Sequence, residues 1–344
     1  MDTILLDDGS GGKASQRLIG ELFVKHFSNP ILDKLDDAAL LTVSGTIAMS
    51  TDGYTVDPIE FPGGTIGSLA VHGTVNDVAM LGAKPRYLSC AFILEEGLEL
   101  AVLERIVASM GAAAKEAGVF IVTGDTKVVP RGAADKIFIT TTGIGDIVTD
   151  IPPSGSHARD GDVILLSGSI GDHGLTIMSR QQGLSLATDL QSDSAALHHM
   201  TLALLEEVGT IHTLRDPTRG GLATTLNEIA EQSSVGMVIQ ETALLVKESV
   251  AAGCAVLGLD PLYLANEGKV ICIVPEAHAE ACLRIMHRFE EGREACIIGR
   301  VYGEGNTPTG MRTTIKAGQV LLETGIGGHR LLGMLEGEQL PRIC

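Results

Sequence analysis

The sequence predicts an α+β protein of two domains, with mixed sheets, helices and a flexible C-terminal tail. Three observations predict it. The chain has 344 residues, enough for two cores of ordinary size. In its first half, apolar strand-like runs outnumber what a parallel sheet with one helix per crossover would give. At DIPPSGSHARDGD the texture changes to Pro, Gly and Ser with charges, which marks a junction. The expected division is residues 1–150, residues 151–323 and a tail over 324–344 in which order fades.

The elements follow in chain order. GTIAMSTDGYTV reads as a strand running into a loop, and IGSLAVHGTVNDVAMLG has apolar residues at helical spacing. PRYLSCAFILEEG is a second strand, starting after a break at Pro85. ELAVLERIVASMGAAAKEAG is a long amphipathic helix ending at Gly118. VFIVTGDTKVV and KIFITTTGIGDI are further strands. The second half restarts with the strand DVILLSGSIG, then a helix from about His173, the helix ALHHMTLALLEEVG, the segment DPTRGGLATTLNEIAEQ, and a strand–helix–strand finish through Val301.

Composition narrows the function. Hydrophobic residues are 44%, charged residues 20% and mean hydropathy is +0.25, so the body packs a core rather than staying disordered. Aromatics are 3% and Trp is absent, leaving Val, Ile, Leu, Ala and Met to fill it. The net charge of −18 argues against nucleic acid or an anionic membrane surface as partner. It also means that a phosphate ligand would need divalent metal between itself and the acidic side chains. No apolar run reaches the roughly 18 residues of a membrane span, and the start lacks a signal-peptide layout. A cytoplasmic protein is expected.

None of the six cysteines forms a C-x-x-C pair, so a zinc or iron–sulfur site is not expected. Cys90 and Cys272 sit in strand-like apolar runs as small hydrophobes. Cys344, in QLPRIC, does not fit that description.

The chemistry concentrates in acidic residues at strand ends, each beside small residues. These are Asp36 and Asp37 in LDDAAL, Asp52 in STDGY, Asn76 and Asp77 in VNDVAM, Asp125 with Thr126 and Lys127 in GDTK, and Asp216 in RDPTRGG. Carboxylates converging at one rim of a sheet can share Mg²⁺, which prefers oxygen ligands and commonly bridges carboxylates to nucleotide phosphates. Singly, each Asp is more often a cap or turn residue; together they favour a metal–nucleotide site. Familiar phosphate loops are excluded: GSGGKAS has Asp7 where a P-loop needs its first Gly and Ala14 where it needs Ser or Thr. Phosphates would rest instead on Gly-rich helix starts such as RDPTRGGLA, with Thr218, Gly220 and Gly221. Glu267 in ANEGK reads either as a salt-bridge partner of Lys269 or an Arg, or as a general base.

The set DDAAL, STDGYTVDPIEFPGG, VNDVAMLGAKP, GDTKVV, DPTRGGLA, ANEGK and PRIC resembles the HypE family of hydrogenase maturation factors, the carbamoyl dehydratases. That family lies within the ATP-binding superfamily of aminoimidazole ribonucleotide synthetase, thiamine-monophosphate kinase and selenophosphate synthetase. The resemblance covers nearly the whole chain; the Asp motifs place it in the superfamily and PRIC selects the family. It implies an aminoimidazole ribonucleotide synthetase-like fold and a homodimer, with residues 1–150 the ATP-binding and dimerisation domain. It implies an ATP–Mg²⁺ site, with Asp36, Asp37, Asp77 and Asp216 on metal and Asp52, Asn76, Asp125, Thr126, Thr218, Gly220 and Gly221 on nucleotide. The carbamoyltransferase HypF would load a carbamoyl group onto Cys344, and the tail would fold into the ATP site. There the group becomes a thiocyanate, and its cyanide passes to iron on the HypC–HypD complex. Glu267 is then expected to be the base and Lys127 to stabilise charge. Arg342 is expected to lower the Cys344 thiol pKa, and the adjacent terminal carboxylate to raise it. The alternative is a small-molecule kinase or synthetase of the same superfamily, with Cys344 incidental.

Overall fold

The computed structural model describes residues 3–10, 12–36, 38–43, 45–184, 190–306, 314–334 and 342–344. Its first part holds the short helices α1 (Lys13–Leu18) and α2 (Lys25–Phe27), then strand β1 (Ile47–Tyr54), the hairpin β2 (Glu60–Phe61) and β3 (Gly64–Thr65), and helix α3 (Ile66–Met80). It continues through β4 (Ala83–Glu95), helix α4 (Leu100–Glu116), β5 (Phe120–Val129) and β6 (Ile137–Ile147). These strands form a four-stranded sheet in the order β1-β6-β4-β5, antiparallel except for the β4/β5 pair. The mixed sheet agrees with the expected α+β class. Pro85 does not break the strand as expected: β4 runs through it, and a register shift between Pro85 and Tyr87 absorbs it.

Alternate residues on these strands face helices α3 and α4. Leu88, Cys90, Phe92 and Leu94 of β4 join Ile137 and Ile139 of β6 in one core with Leu69, Leu103, Ile106 and Met110. The opposite face of the sheet stays open, with Met49 64% and Ile93 41% exposed. Helix α3 is buried nearly all round, because a second domain covers its other side. Thr65 caps it through the Gly67 and Ser68 N–H groups, and Ser68 answers with a capping box.

The second part contains β7 (Asp162–Leu166), α5 (Asp172–Gln181), α6 (His198–Val208), β8 (Thr213–Arg215), α7 (Gly221–Gln232), β9 (Gly236–Gln240) and α8 (Glu248–Leu257). It ends with β10 (Ile271–Pro275), α9 (Glu276–Met286), β11 (Cys296–Tyr302), β12 (Val320–Glu323) and β13 (His329–Leu331). The sheet has seven strands in the order β13-β12-β9-β11-β7-β10-β8. Both faces of β7 are covered, which is why DVILL is a continuous apolar run. Ile164 and Leu166 pack with Leu222, Leu226 and Ile229 of α7, whereas Val163 and Leu165 pack with Leu204 of α6 and Ile285 and Met286 of α9. Cys272 is the buried small hydrophobe expected of it.

Residues 324–334 are part of the second-domain sheet rather than of a loose tail. The segment turns, pairs β13 with β12, and buries Leu332 in the core. Apolar residues at Leu331 and Leu332 after a Gly-rich turn are a hairpin pattern, and the glycines that suggested a loose lead are that turn. Among the described residues no helix is long and apolar enough to cross a membrane.

Candidate active site

Four carboxylates, Asp52, Asp77, Asp216 and Glu267, act on one another electrostatically where the two domains touch. Asp52 shares a cross-strand row with Thr141, whose hydroxyl bonds to Thr74 and to the Ala70 carbonyl of α3. Asp77 stands one helical turn after Thr74 and accepts a hydrogen bond from Ser50 Oγ at 2.6 Å. From the second domain, β8 and β10 are neighbours. Asp216 directly follows β8 and Glu267 shortly precedes β10, so strand pairing brings both to the seam.

The pKa values of the cluster show how crowded it is, with Arg215 offsetting part of the shift at Asp216. Burial, followed by repulsion from Asp216, pushes Asp77 up to about 8. Burial, with Asp52 adding to it, raises Asp216 to about 6. Burial and then Asp216, Asp193, Asp77 and Asp52 hold Glu267 well above the usual carboxylate range.

Glu267 is 3% exposed, and its Oε1 is buried with no hydrogen-bond partner. Lys269 does not pair with it, because Asp193 takes that lysine at 3.0 Å. Asp193 also accepts the Glu267 N–H at 3.1 Å. Burial works to raise the Asp193 pKa, but Lys269, His173 and the Glu267 N–H together hold it below the usual carboxylate range. Asn266 fixes the same loop by accepting from Gly171 N–H and donating to the Pro217 and Leu264 carbonyls. The backbone is anchored while the Glu267 carboxylate is left uncommitted, which suits a base.

The end of the chain lies in this seam. Residues 342–344 run antiparallel to residues 55–57: Thr55 N–H donates to the Cys344 main-chain oxygen at 3.0 Å and Asp57 N–H to the Arg342 carbonyl at 3.3 Å. Ile343 is 4% exposed and joins the first-domain core. The Cys344 thiol is pushed up to about 12, by burial first and then by Glu267 and Asp52; Arg219 opposes them. The expectation that Arg342 would lower the thiol pKa is therefore corrected. Its guanidinium donates to the Thr55 carbonyl and Asp135 and lies over the Phe138 ring, while Arg219, in the DPTRGG turn, is the cation acting on the sulfur. A docked thiol with so little thiolate should resist alkylation. In the chain carrying Ile343→Asp, which forces the tail out, Cys344 is expected to react with iodoacetamide at least about tenfold faster at pH 7. Peptide mass mapping reads this, and equal rates would contradict the docked arrangement.

The other expected site residues are placed elsewhere or do other work. Asn76 is 1% exposed and clamps the domains, donating to the Ala195 and Glu267 carbonyls and accepting from Leu197 N–H. Asp125 and Lys127 pair with each other at 2.7 Å on β5, with side chains 61% and 63% exposed. Strands β1 and β5 are opposite edges of the four-stranded sheet, roughly 14 Å apart. Within one chain, then, Lys127 is not beside Cys344, and the sequence motif could not show which sheet edge carries it. Asp36, Asp125, Thr126 and Lys127 instead line a cavity of about 650 Å³ beneath the N-terminal segment. Asp37 lies outside the described residues. Among the described residues no three or more His, Cys, Asp or Glu side chains are grouped to hold a metal by themselves.

Thr218, Gly220 and Gly221 build the turn into α7, with Thr218 N–H on the Asp216 carbonyl and Gly221 N–H on the Thr218 carbonyl. Gly221 has φ +62, and a Cβ there would lie 2.6 Å from the Leu264 carbonyl oxygen. Gly221→Ala is expected to cost about 2–3 kcal/mol in urea unfolding, from left-handed strain and overpacking. A cost below about 0.5 kcal/mol would contradict this reading of the turn.

Two family models match most of the chain. Residues 35–147 match the N-terminal domain and residues 159–309 the C-terminal domain of AIR synthase related proteins. A carbamoyl dehydratase HypE from Azotobacter vinelandii is 54% identical over 337 residues, covering 98% of this chain and 96% of that relative. This chain belongs to the HypE carbamoyl dehydratase family. A solved structure of hydrogenase maturation protein HypE in complex with ATP is 65% identical, with a TM-score of 0.95, covering 99% of this chain and 100% of that one. A HypE chain in a HypE–HypF complex is 46% identical, with a TM-score of 0.79 over 92% of this chain and 99% of its own. The AIR synthase-like, two-domain α+β fold expected from the motifs is thus shown for a HypE family member.

Proposed function

We propose that this chain is an ATP-dependent dehydratase that converts a carbamoyl group on Cys344 into a thiocyanate, supplying the cyanide ligand of a NiFe-hydrogenase iron centre. The carrying observation is the docked tail, with Cys344 Sγ in the field of a buried Glu267 whose Oε1 has no partner.

The chemistry sets the roles. An amide oxygen is a poor leaving group, so the γ-phosphoryl of ATP is transferred to the thiocarbamate oxygen, giving ADP. The C–O bond then breaks with phosphate, and the nitrogen gives up its two protons, one at each stage. The net change is loss of one water from S–C(O)–NH₂ to S–C≡N. Glu267 accepts these protons; its raised pKa makes it a stronger base than an ordinary carboxylate. Asp77 and Asp216, with Asp52 beside them, are suited to hold a divalent cation such as Mg²⁺. That ion would supply countercharge for phosphate and offset the mutual repulsion of Asp77, Asp216 and Asp52. The helix start after Thr218, Gly220 and Gly221 offers N–H groups to phosphate. Nucleotide contacts from Asp125 and Thr126, and metal contact from Asp36 and Asp37, belong to the same proposal.

HypF is proposed as the loading partner and HypC–HypD as cyanide acceptor, in the cytoplasm. A homodimer through the open face of the first sheet would cover Met49 and Ile93, and a second copy could bring Lys127 to the thiocarbamate. Deleting Cys344 alone separates this reading from a small-molecule kinase. The dehydratase should lose all product, whereas a kinase would keep its substrate turnover and so overturn the proposal.

A further inference from the structure

Glu267 Oε1 is left without a partner although a lysine stands two residues away in sequence, and one buried carboxylate keeps the two apart. Residues 190–197 cross the seam as an irregular segment between α5 and α6. Asn76 fastens this segment by donating to the Ala195 carbonyl at 2.9 Å and accepting from Leu197 N–H at 2.8 Å. Ser192 N–H donates to the Pro62 carbonyl at 2.9 Å. Ser192 Oγ pairs with His173 Nδ1 at 2.8 Å, and His173 Nε2 donates to the Ile343 carbonyl at 2.8 Å. Ser194 Oγ pairs with His72 Nδ1 at 2.9 Å. Among these fixed points stands Asp193, its side chain 5% exposed. One of its carboxylate oxygens accepts from Glu267 N–H at 3.1 Å and the other from Lys269 Nζ at 3.0 Å. The two main chains run in contact: a Cβ on Gly268 would lie 1.7 Å from the Asp193 carbonyl oxygen, so a side chain at 268 would drive the segments apart.

The Lys269 ammonium is no more than about 9 Å from the Glu267 main-chain nitrogen, one carboxylate and two hydrogen bonds away. Its stem runs past Gly168, where a Cβ would lie 3.1 Å from Lys269 Cε, and its side chain is too buried to turn to water. A buried ammonium that loses its counterion is strongly destabilising and seeks another carboxylate. In the same loop that carboxylate is Glu267. An ion pair there would occupy the oxygens that must accept protons. Stability alone does not account for the Asp193–Lys269 pair, since buried pairs are commonly no better than apolar residues of similar volume. Burial opposes the charge on Asp193, yet Lys269 and His173 hold its carboxyl below the usual range, so the clamp is ionised at neutral pH.

We infer that Asp193 is a positioning residue for the dehydration: by holding Lys269 with one oxygen and the Glu267 N–H with the other, it keeps the lysine off the Glu267 carboxylate and fixes the loop that carries it. Asp193 acts through Glu267 rather than on the substrate, and its role rests on the reading of Glu267 as base.

The test uses the full chain, loaded on Cys344 by a carbamoyl-donor system, and follows by intact mass the first-order loss of water after Mg²⁺ and ATP are added. Each variant is assayed below its own melting temperature. Asp193→Asn keeps the shape and an acceptor for the Glu267 N–H but removes the charge. Water loss is expected to slow by about 10²-fold, with the loaded fraction and the ATP concentration for half-maximal rate unchanged. Adding Lys269→Met should recover at least about tenfold of that loss, although it restores no native contact. A purely structural role would instead lower loading and raise the ATP requirement along with the rate. That pattern, an unslowed Asp193→Asn, or no recovery in the double variant would each overturn the inference. A crystal structure of Asp193→Asn should place Lys269 Nζ within about 3.5 Å of a Glu267 carboxylate oxygen; an ammonium still held by residue 193 would overturn it as well. If Asp193→Asn does not fold alone, the double variant serves. It should turn over at more than about a tenth of the parent rate, and a rate as low as that of Glu267→Gln would contradict the inference. A parent chain that loads but loses no water would sink the dehydratase reading itself, whereas a parent that turns over beside an unslowed Asp193→Asn sinks only the role of Asp193.

Discussion

Glu267→Gln is expected to lower thiocyanate formation by about 10²–10⁴-fold while leaving carbamoylation of Cys344 intact. Gln matches Glu in shape and fills the same buried space, so loss of packing does not enter. What it removes is a carboxylate whose Oε1 is buried at the seam with no hydrogen-bond partner. The usual confounder, loss of stability, should run the other way. Glu267 is held well above its ordinary pKa, so the folded chain binds that proton more tightly than the unfolded chain. Its stabilising contribution is therefore present below the unfolded value and is lost as pH rises through the folded value. A neutral Gln escapes that loss, so the variant should melt no lower than the parent at pH 8. Rapid turnover in Glu267→Gln would remove it from the role of base, and a large drop in melting temperature would show a structural one.

Asp193→Ala is expected to destabilise the chain by about 3–5 kcal/mol, the largest cost among the single changes considered. Asp193 and Lys269 are buried together, with side chains 5% and 11% exposed, and removing the carboxylate strands an ammonium in the interior. The same change leaves the Glu267 N–H without its acceptor and removes a charged neighbour of His173. Asp193→Ala with Lys269→Met should recover a large part of the loss, because it leaves no unpaired charge behind. Urea unfolding of the single and double variants checks this. Equal stability of Asp193→Ala and the parent would contradict the buried-pair account.

Much of the fold was legible because its apolar patterns are strong. The run DVILL had to be covered on both faces, and α4 showed its stripe. The acidic motifs were also legible, but their placement was not: Asp77 lies in helix α3 and Asp52 within β1 rather than at strand ends, and Asp36 and Asp125 line a separate cavity. What the sequence could not carry was assignment to sheet edges and partners. GDTK lies on the edge strand opposite Asp52, a consequence of strand order that no motif encodes. Lys269 looked like the natural partner of Glu267, but the choice between it and Asp193 depends on a segment about 75 residues away in sequence, at 190–197. His173 and Ser192 carry no local pattern that marks them as tail contacts. Only the GDHG spacing at the start of α5 could have drawn attention to the first. Arg219 was in plain view within DPTRGG, and its role emerged only once the thiol was placed.

The central claim is that Cys344 carries the group that the seam dehydrates. Intact-mass analysis of the unaltered chain, incubated with a carbamoyl-donor system and Mg²⁺ and then with ATP, tests it most directly. The account predicts an added carbamoyl group located on Cys344, followed by loss of one water that requires hydrolysable ATP and fails in Glu267→Gln. An adduct on another residue, no adduct at Cys344, or water loss that proceeds without ATP would contradict it.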